Sequence, residues 1–156
     1  MRTQALDSFG GYVRAMELFQ LVVADMKSIQ GDPLTYKLVS QQVGSADSIA
    51  ANIEEGYGRL GTGEFIRFLD FARSSARETR GRYIRMMPWF SKEMIEDRAA
   101  LCDEIIGILT STIATLRAKN SVREEGAEYV ASPLATRHST LATRHSPLDT
   151  RHSPLI

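Results

Sequence analysis

The chain has 156 residues, 43% of them apolar, and 19 basic side chains balance 19 acidic ones. A chain of this length and composition is enough for one domain with a hydrophobic core. A chain with no net charge lacks the overall electrostatic field that steers basic proteins to nucleic acid, so nucleic-acid binding would require a local basic patch. The chain has one cysteine, Cys102, which excludes an internal disulfide framework and suits a reducing compartment, so we expect a cytoplasmic protein. No apolar run approaches the roughly 20 residues of a membrane span, so we expect no membrane partner.

The first helix is predicted over residues 12–30, after a flexible lead-in over residues 1–11 that ends in the break Gly10-Gly11. Its apolar seam has side chains spaced alternately by four and three positions: Tyr12, Met16, Phe19, Val23 and Met26. Leu18, Val22 and Ile29 widen this seam. Asp32 followed by Pro33 is typical of the start of the next helix.

The second helix is predicted over residues 33–56, and its end coincides with a cluster of glycines. Its seam has the same alternating spacing: Val39, Val43, Ala46, Ala50, Ile53 and Tyr57. Because glycine takes a positive φ without steric cost, the helix is predicted to end at Gly56 in a left-handed cap. Thr62 would cap the following helix. The stretch therefore predicts a tight reversal between two antiparallel helices.

The third and fourth helices are predicted over residues 62–87 and 91–119, with Pro88 ending one and Ser91 capping the other. The third seam consists of Leu69, Ala72, Ala76, Thr79, Tyr83 and Met86. The fourth consists of Ile95, Ala99, Cys102, Ile106, Leu109, Ile113 and Leu116. Four seams with short connections predict an all-α protein, an antiparallel up-down-up-down four-helix bundle over residues 12–120.

A second apolar row, Leu101, Ile105 and Ile108, lies beside the fourth seam. One helix of a bundle needs only one apolar stripe to close the core. We therefore expect the extra row to form a subunit interface in a homo-oligomer.

The remaining residues, 121–156, are predicted to be a weak helix extension followed by a disordered tail. The tail repeats a heptapeptide as PLATRHS, TLATRHS and PLDTRHS. Each copy has one large apolar residue, which is too few for a coiled-coil seam or a packed core.

The sequence contains few of the residues on which catalytic sites in helical bundles depend. The three histidines, His138, His145 and His152, all lie in the tail. Their absence from the body removes the Glu-x-x-His pairs of di-iron bundles, most zinc sites and histidine acid–base catalysis. We expect no catalytic residues, no metal and no cofactor, and a protein that is not an enzyme.

The stretch SIAANIEEGYGR, followed by GEFIRFLDFARSSARE, resembles a bacterial family of four-helix-bundle proteins encoded in intervening sequences of large-subunit ribosomal RNA genes. A related branch comprises the accessory proteins of diversity-generating retroelements. The resemblance runs from Tyr12 to Leu116. It is sharpest at the hairpin signature, which consists of Asn52, Glu55, Gly56, Gly58 and Arg59. It implies a pentamer, and the retroelement branch implies nucleic-acid binding beside a reverse transcriptase.

Two interpretations of Asn52 and Glu55 stay open. They lie three residues apart, near the helix end and on one face. In a structural role, Arg59 folds back to pair with Glu55 or to cap carbonyl groups. In a functional role, the pair binds a ligand.

Seven arginines on the third helix and its approach are the candidate nucleic-acid-binding residues: Arg59, Arg67, Arg73, Arg77, Arg80, Arg82 and Arg85. Arg73, Arg77 and Arg80 fall within about 60° of one another around the helix. They are predicted to form either a phosphate-binding stripe, which suits the forked guanidinium donors, or a solvated face paired with acidic neighbours. We therefore expect an oligomeric scaffold or accessory protein that binds RNA or DNA. The alternative is a purely protein-binding ring.

Overall fold

The computed structural model describes residues 6–131 of the chain, with side chains over residues 6–122. The heptapeptide repeat lies outside the described residues, so its predicted disorder stays a prediction. From Gly10 to the last described residue, four α-helices follow one another: α1 Gly10–Ile29, α2 Tyr36–Gly58, α3 Thr62–Arg85 and α4 Lys92–Ala131. A 3₁₀ turn, Pro33–Thr35, leads into α2. Short connections make chain neighbours antiparallel, which confirms the predicted all-α bundle.

The bundle unit extends to Asn120, and the described part of the second unit is the end of α4. Helix α1 packs against α2, and α2 packs against α3. Helix α4 forms ion pairs with α1 and with α3. Glu104 pairs with Arg14 of α1 at 2.9 Å, and Asp103 pairs with Arg80 of α3 at 2.8 Å.

Two side chains cap the starts of the segments that follow them, as predicted. Asp32 Oδ1 accepts from the backbone N–H of Leu34 at 2.9 Å, and Ser91 Oγ accepts from that of Met94 at 3.3 Å. Asp32 also accepts from Trp89 Nε1 at 2.8 Å, which joins the α1–α2 corner to the α3–α4 corner. These hydrogen bonds, the one from Trp89 above all, hold the pKa of Asp32 below its usual value.

The α3 seam is confirmed, because all six of its predicted residues are buried. The α1 seam is confirmed in part, because Met26 and the flanking Leu18, Val22 and Ile29 are buried, whereas Tyr12, Phe19 and Val23 are half-buried. The buried row of α1 is Gly11, Ala15, Leu18, Val22, Met26 and Ile29. Both rows have helical spacing, but small residues at positions 11 and 15 permit closer packing than Tyr12 and Met16 do. Met16 is 36% exposed.

The helix also begins earlier than predicted, at Gly10, and the Gly10-Gly11 break is absent. Leu6 and Phe9 of the predicted lead-in pack against the core. A Cβ on Gly11 would lie 2.8 Å from Phe9 Cε1, so the absence of a side chain there makes room for the Phe9 ring.

The placement of Ile105 in the predicted subunit interface is wrong. Its side chain is fully buried inside the bundle, in the row that also contains Cys102, Leu109 and Ile113. Ile106, predicted in that row, is half-buried instead. Spacings of three, four and four from Cys102 follow the helical period as well as the predicted four, three and four. Leu101 and Ile108 are half-buried, and their interface role stays a prediction.

Candidate nucleic-acid interface

Four of the seven candidate arginines are paired with carboxylates. The pairs are Arg59 with Glu55, Arg73 with Asp70, Arg80 with Asp103 and Arg82 with Glu78. Three of them join residues three or four positions apart within one helix or at its end. Pairing neutralises much of the positive charge that the sequence places on α3.

Three of these paired side chains also tie helices together. Arg73 Nη1 donates to Thr110 Oγ1 at 3.3 Å, and Arg80 meets Asp103 on the same neighbouring helix, α4. Arg82 Nη1 donates to Gln41 Oε1 on α2 at 2.7 Å. The predicted stripe of Arg73, Arg77 and Arg80 therefore does not form a set of free guanidinium groups. Two of its members lie so close to the buried seam that they contact α4.

The other three candidate arginines, Arg67, Arg77 and Arg85, are exposed. Among the described residues, none of the three has a carboxylate partner. Arg67 and Arg85 are separated by 18 residues, which is about five full turns, so they project from the same side of α3. Arg77 lies about 80° around the helix from them. We call this surface the outer face of α3.

Two large apolar side chains share this surface with the arginines. Phe71 is 44% exposed and Ile84 is 43% exposed. The guanidinium of Arg67 lies over the Phe71 ring, 5.4 Å from its centroid. The outer face of α3 thus comprises Arg67, Phe71, Arg77, Ile84 and Arg85. It combines positive charge with an accessible aromatic ring.

The hairpin signature supports the α2–α3 reversal. Asn52 Nδ2 donates to the Ser48 carbonyl at 2.7 Å, and Arg59 pairs with Glu55 as the structural interpretation predicted. The predicted left-handed cap at Gly56 is wrong, because α2 continues through Gly56 to Gly58. Gly56 instead lies at the helix crossing, where an added Cβ would come within 2.9 Å of Phe65 Cδ2. These contacts leave the ligand-binding interpretation of Asn52 and Glu55 untested.

A groove of about 290 Å³ opens beside this reversal. It is lined by Gly56, Tyr57, Arg59, Leu60, Gly61, Thr62 and Phe65. The Tyr57 and Phe65 rings meet edge to face at 5.0 Å on its wall. Tyr57 and Phe65 are half-buried, whereas Leu60 is 91% exposed.

A buried polar network escaped the sequence analysis. Asp25 Oδ2 accepts from Tyr83 OH at 2.7 Å and from Arg98 Nε at 2.8 Å, so one carboxylate joins α1, α3 and α4. Burial and the Asp25 contact raise the pKa of the Tyr83 hydroxyl, and the hydrogen bond to Asp25 raises the pKa of Arg98. The one available signal was an aspartate between the apolar positions Val22 and Met26.

Groups for other chemistry are few in the described part of the chain. Burial raises the pKa of the Cys102 thiol to about 12, so this side chain is an inert core residue rather than a nucleophile. The side chains of residues 6–122 contain no group of three or more His, Cys, Asp or Glu that could hold a metal ion.

By length and composition alone, one helix could cross a membrane, the part of α4 over Lys92–Val122. The same helix contributes Cys102, Ile105, Leu109 and Ile113 to the core of the bundle. A core helix meets the same criteria, so the feature does not distinguish the two environments.

Comparison with known proteins places the chain in a family. The family model described as 23S rRNA-intervening sequence protein matches residues 9–111. The chain belongs to that family. The matched residues include α1, α2, α3 and the first half of α4, as far as Ser111.

A solved structure shares the fold of this chain. It is the crystal structure of a protein with unknown function from the S23 ribosomal protein family of Bacteroides thetaiotaomicron VPI-5482. The TM-score is 0.63 at 24% sequence identity, and the alignment covers 66% of this chain and 97% of that one. No curated protein matches the chain.

Proposed function

We propose that this member of the family is a non-enzymatic, oligomeric accessory or scaffold protein that binds nucleic acid through the outer face of α3. The observation that carries the proposal is the set Arg67, Arg77 and Arg85, three exposed arginines without a carboxylate partner in the described chain. An unpaired guanidinium stays charged and offers forked donors that match phosphate oxygens.

The number of free arginines also limits the strength of binding. With a formal net charge of zero for the chain, affinity must come from these local contacts. One subunit contributes three such arginines, so we expect weak binding by a single copy. A homo-oligomer would repeat the face and bind a long strand by avidity.

The resemblance to retroelement accessory proteins supports a second part of the proposal. It makes a reverse transcriptase the expected protein partner of the assembly. Genome context offers an inexpensive test, because a neighbouring reverse transcriptase gene with a template repeat favours this branch. An enclosing ribosomal RNA gene favours the other.

A purely protein-binding ring is the second candidate. Phe71, Ile84 and Met87 are exposed beside the arginines, and Met87 is 61% exposed. Aromatic residues, methionine and arginine are enriched in protein interfaces. An acidic protein partner would use the same outer face of α3.

A salt titration of RNA and DNA binding distinguishes the candidates. Replacing Arg67, Arg77 and Arg85 by Gln should reduce the slope of log affinity against log salt by about 2 for single strands. The matched control replaces Lys27, Lys37 and Lys92 by Gln, which removes the same charge from exposed positions elsewhere. It should leave the slope nearly unchanged.

Two results would reject nucleic-acid binding through this face. One is the absence of binding at about 50 mM salt, where phosphate contacts are strong. The other is an equal effect of the arginine and lysine substitutions, because only the total charge would then matter. The protein-binding candidate would then take its place.

A further inference from the structure

Four side chains next to the α2–α3 reversal form a continuous row of cation–π and edge-to-face contacts. The Arg59 guanidinium lies 5.1 Å from the centroid of the Phe68 ring. Phe68 and Phe71 meet edge to face at 6.0 Å. Arg67 lies 5.4 Å from the Phe71 centroid. We call Arg59, Phe68, Phe71 and Arg67 the cation–π row.

The row lies away from the core. Helix α3 buries Leu69, Ala72 and Ala76, and Phe71 is about 100° from the nearest of them around the helix. Phe68 is half-buried over Gly56, whereas Phe71 keeps 44% of its surface in solvent. Both arginines are exposed. An aromatic ring and planar guanidinium groups are therefore accessible together on the outer face of α3.

We propose that the cation–π row is a stacking platform for the unpaired bases of single-stranded nucleic acid, an inference that rests on the proposed function. Unstacked bases stack on aromatic rings and on guanidinium planes. Arg67 supplies positive charge beside the ring, because Arg59 is already paired with Glu55. Arg77 and Arg85 contact phosphates further along α3. Bases inside a duplex already stack on one another, so the platform favours single strands over duplexes.

The competing explanation is intramolecular. Cation–π contacts stabilise proteins, and the row joins the end of α2 to α3, so it would then only strengthen the hairpin. This explanation accounts for Arg59 and the half-buried Phe68. It gives no role to the exposed surface of Phe71, which lies one turn further from the reversal.

The test compares the full-length protein with the variant Phe71→Leu, which keeps an apolar side chain and removes the aromatic ring. The probes are a labelled single-stranded oligonucleotide and the same strand annealed to its complement. We expect Phe71→Leu to weaken single-strand binding by about 5- to 150-fold, the effect of losing one stacked base. Duplex affinity and the salt slope should stay the same, because no charge is lost.

Tyr36→Leu is the matched control, since Tyr36 is an exposed aromatic residue on α2. It should change neither affinity. Arg67→Lys is the second variant, because it retains the charge and loses the planar group. It should weaken single-strand binding while leaving the salt slope unchanged. If Phe71→Leu lowers the melting temperature strongly, a loss of binding by that variant could reflect unfolding, and the result for Arg67→Lys then tests the platform.

The outcomes separate this inference from the proposed function. If the arginine-to-glutamine variant loses binding but Phe71→Leu and Arg67→Lys do not, the platform is rejected and the proposed function stands. Equal losses for single strand and duplex also reject the platform. If neither oligonucleotide binds the unmodified protein, both proposals fall.

Discussion

At the scale of single residues, Gly56 is a position on α2 with no room for a side chain against α3. A Cβ at this position would lie 2.9 Å from Phe65 Cδ2 and 3.0 Å from Phe68 Cβ. The Phe65 ring can rotate away, but Phe68 Cβ is fixed to the backbone of α3. The glycine therefore sets the distance between two helices.

This geometry predicts opposite effects for one substitution at two glycines of α2. Gly56→Ala should lower the free energy of unfolding by about 1–2 kcal/mol, because overpacking outweighs the gain in helix propensity. Gly44→Ala should raise it by about 0.5–1 kcal/mol, since no atom lies within 4 Å of the added Cβ. Urea denaturation of both variants measures the difference. Stabilisation by both changes would show that the crossing tolerates a methyl group.

The residue scale also shows what sequence reasoning could reach. The Glu55–Arg59 pair was predictable, because its members are four residues apart at the end of α2. The Asp25–Arg98 pair was not, because its members are 73 positions apart and meet only after folding. The same limit hid the pairing of Arg80 with Asp103. The spacing of residues along the sequence predicts ion pairs within a helix. Ion pairs between helices can be predicted only when the register of the helices in the bundle is known.

At the scale of elements, α4 shows why apolar spacing alone did not determine the buried face. Ile105 and Ile106 are both isoleucines, and either could continue the row from Cys102 to Leu109. The structure buries Ile105 and leaves Ile106 and Ile108 half-buried. In α3 arginines flank the predicted row, and there the prediction was correct.

The two faces of α4 predict different results for the same change. Ile105→Glu should destabilise the bundle by more than about 4 kcal/mol, because it places a carboxylate without a partner in the core. Ile108→Glu should cost much less, since its side chain reaches solvent. Thermal unfolding followed by circular dichroism compares them. Similar melting temperatures for the two variants would contradict the assignment of Ile105 to the core.

At the scale of the whole molecule, the four-helix architecture was predictable, because four apolar seams alternate with three short connections. The assembly of subunits is a separate question. Leu101 and Ile108 remain partly accessible on α4, and Val13 and Met16 are exposed on α1 at 48% and 36%. Exposed apolar side chains of this kind suit an interface between copies.

We therefore predict a homo-oligomer in solution, with five subunits expected from the family resemblance. Light scattering at micromolar concentration should give a mass well above the 17.4 kDa of one chain. The double variant Leu101→Glu with Ile108→Glu should shift the mass toward the monomer while the helical content is retained. A monomeric unmodified protein would reject the prediction and remove the avidity argument.

The contacts of Asp25 also bear on how the helices align along their length. The apolar seams of α1 and α4 repeat with each turn, so a slide of one turn, about 5.4 Å, would again bring apolar side chains opposite one another. Arg98 would then miss Asp25, and an unpaired buried charge costs about 3–5 kcal/mol. We expect this one ion pair to exclude the slipped arrangements that the seams alone would accept. The apolar seams determine which faces of the helices meet, and the Asp25–Arg98 pair determines the axial register in which they meet.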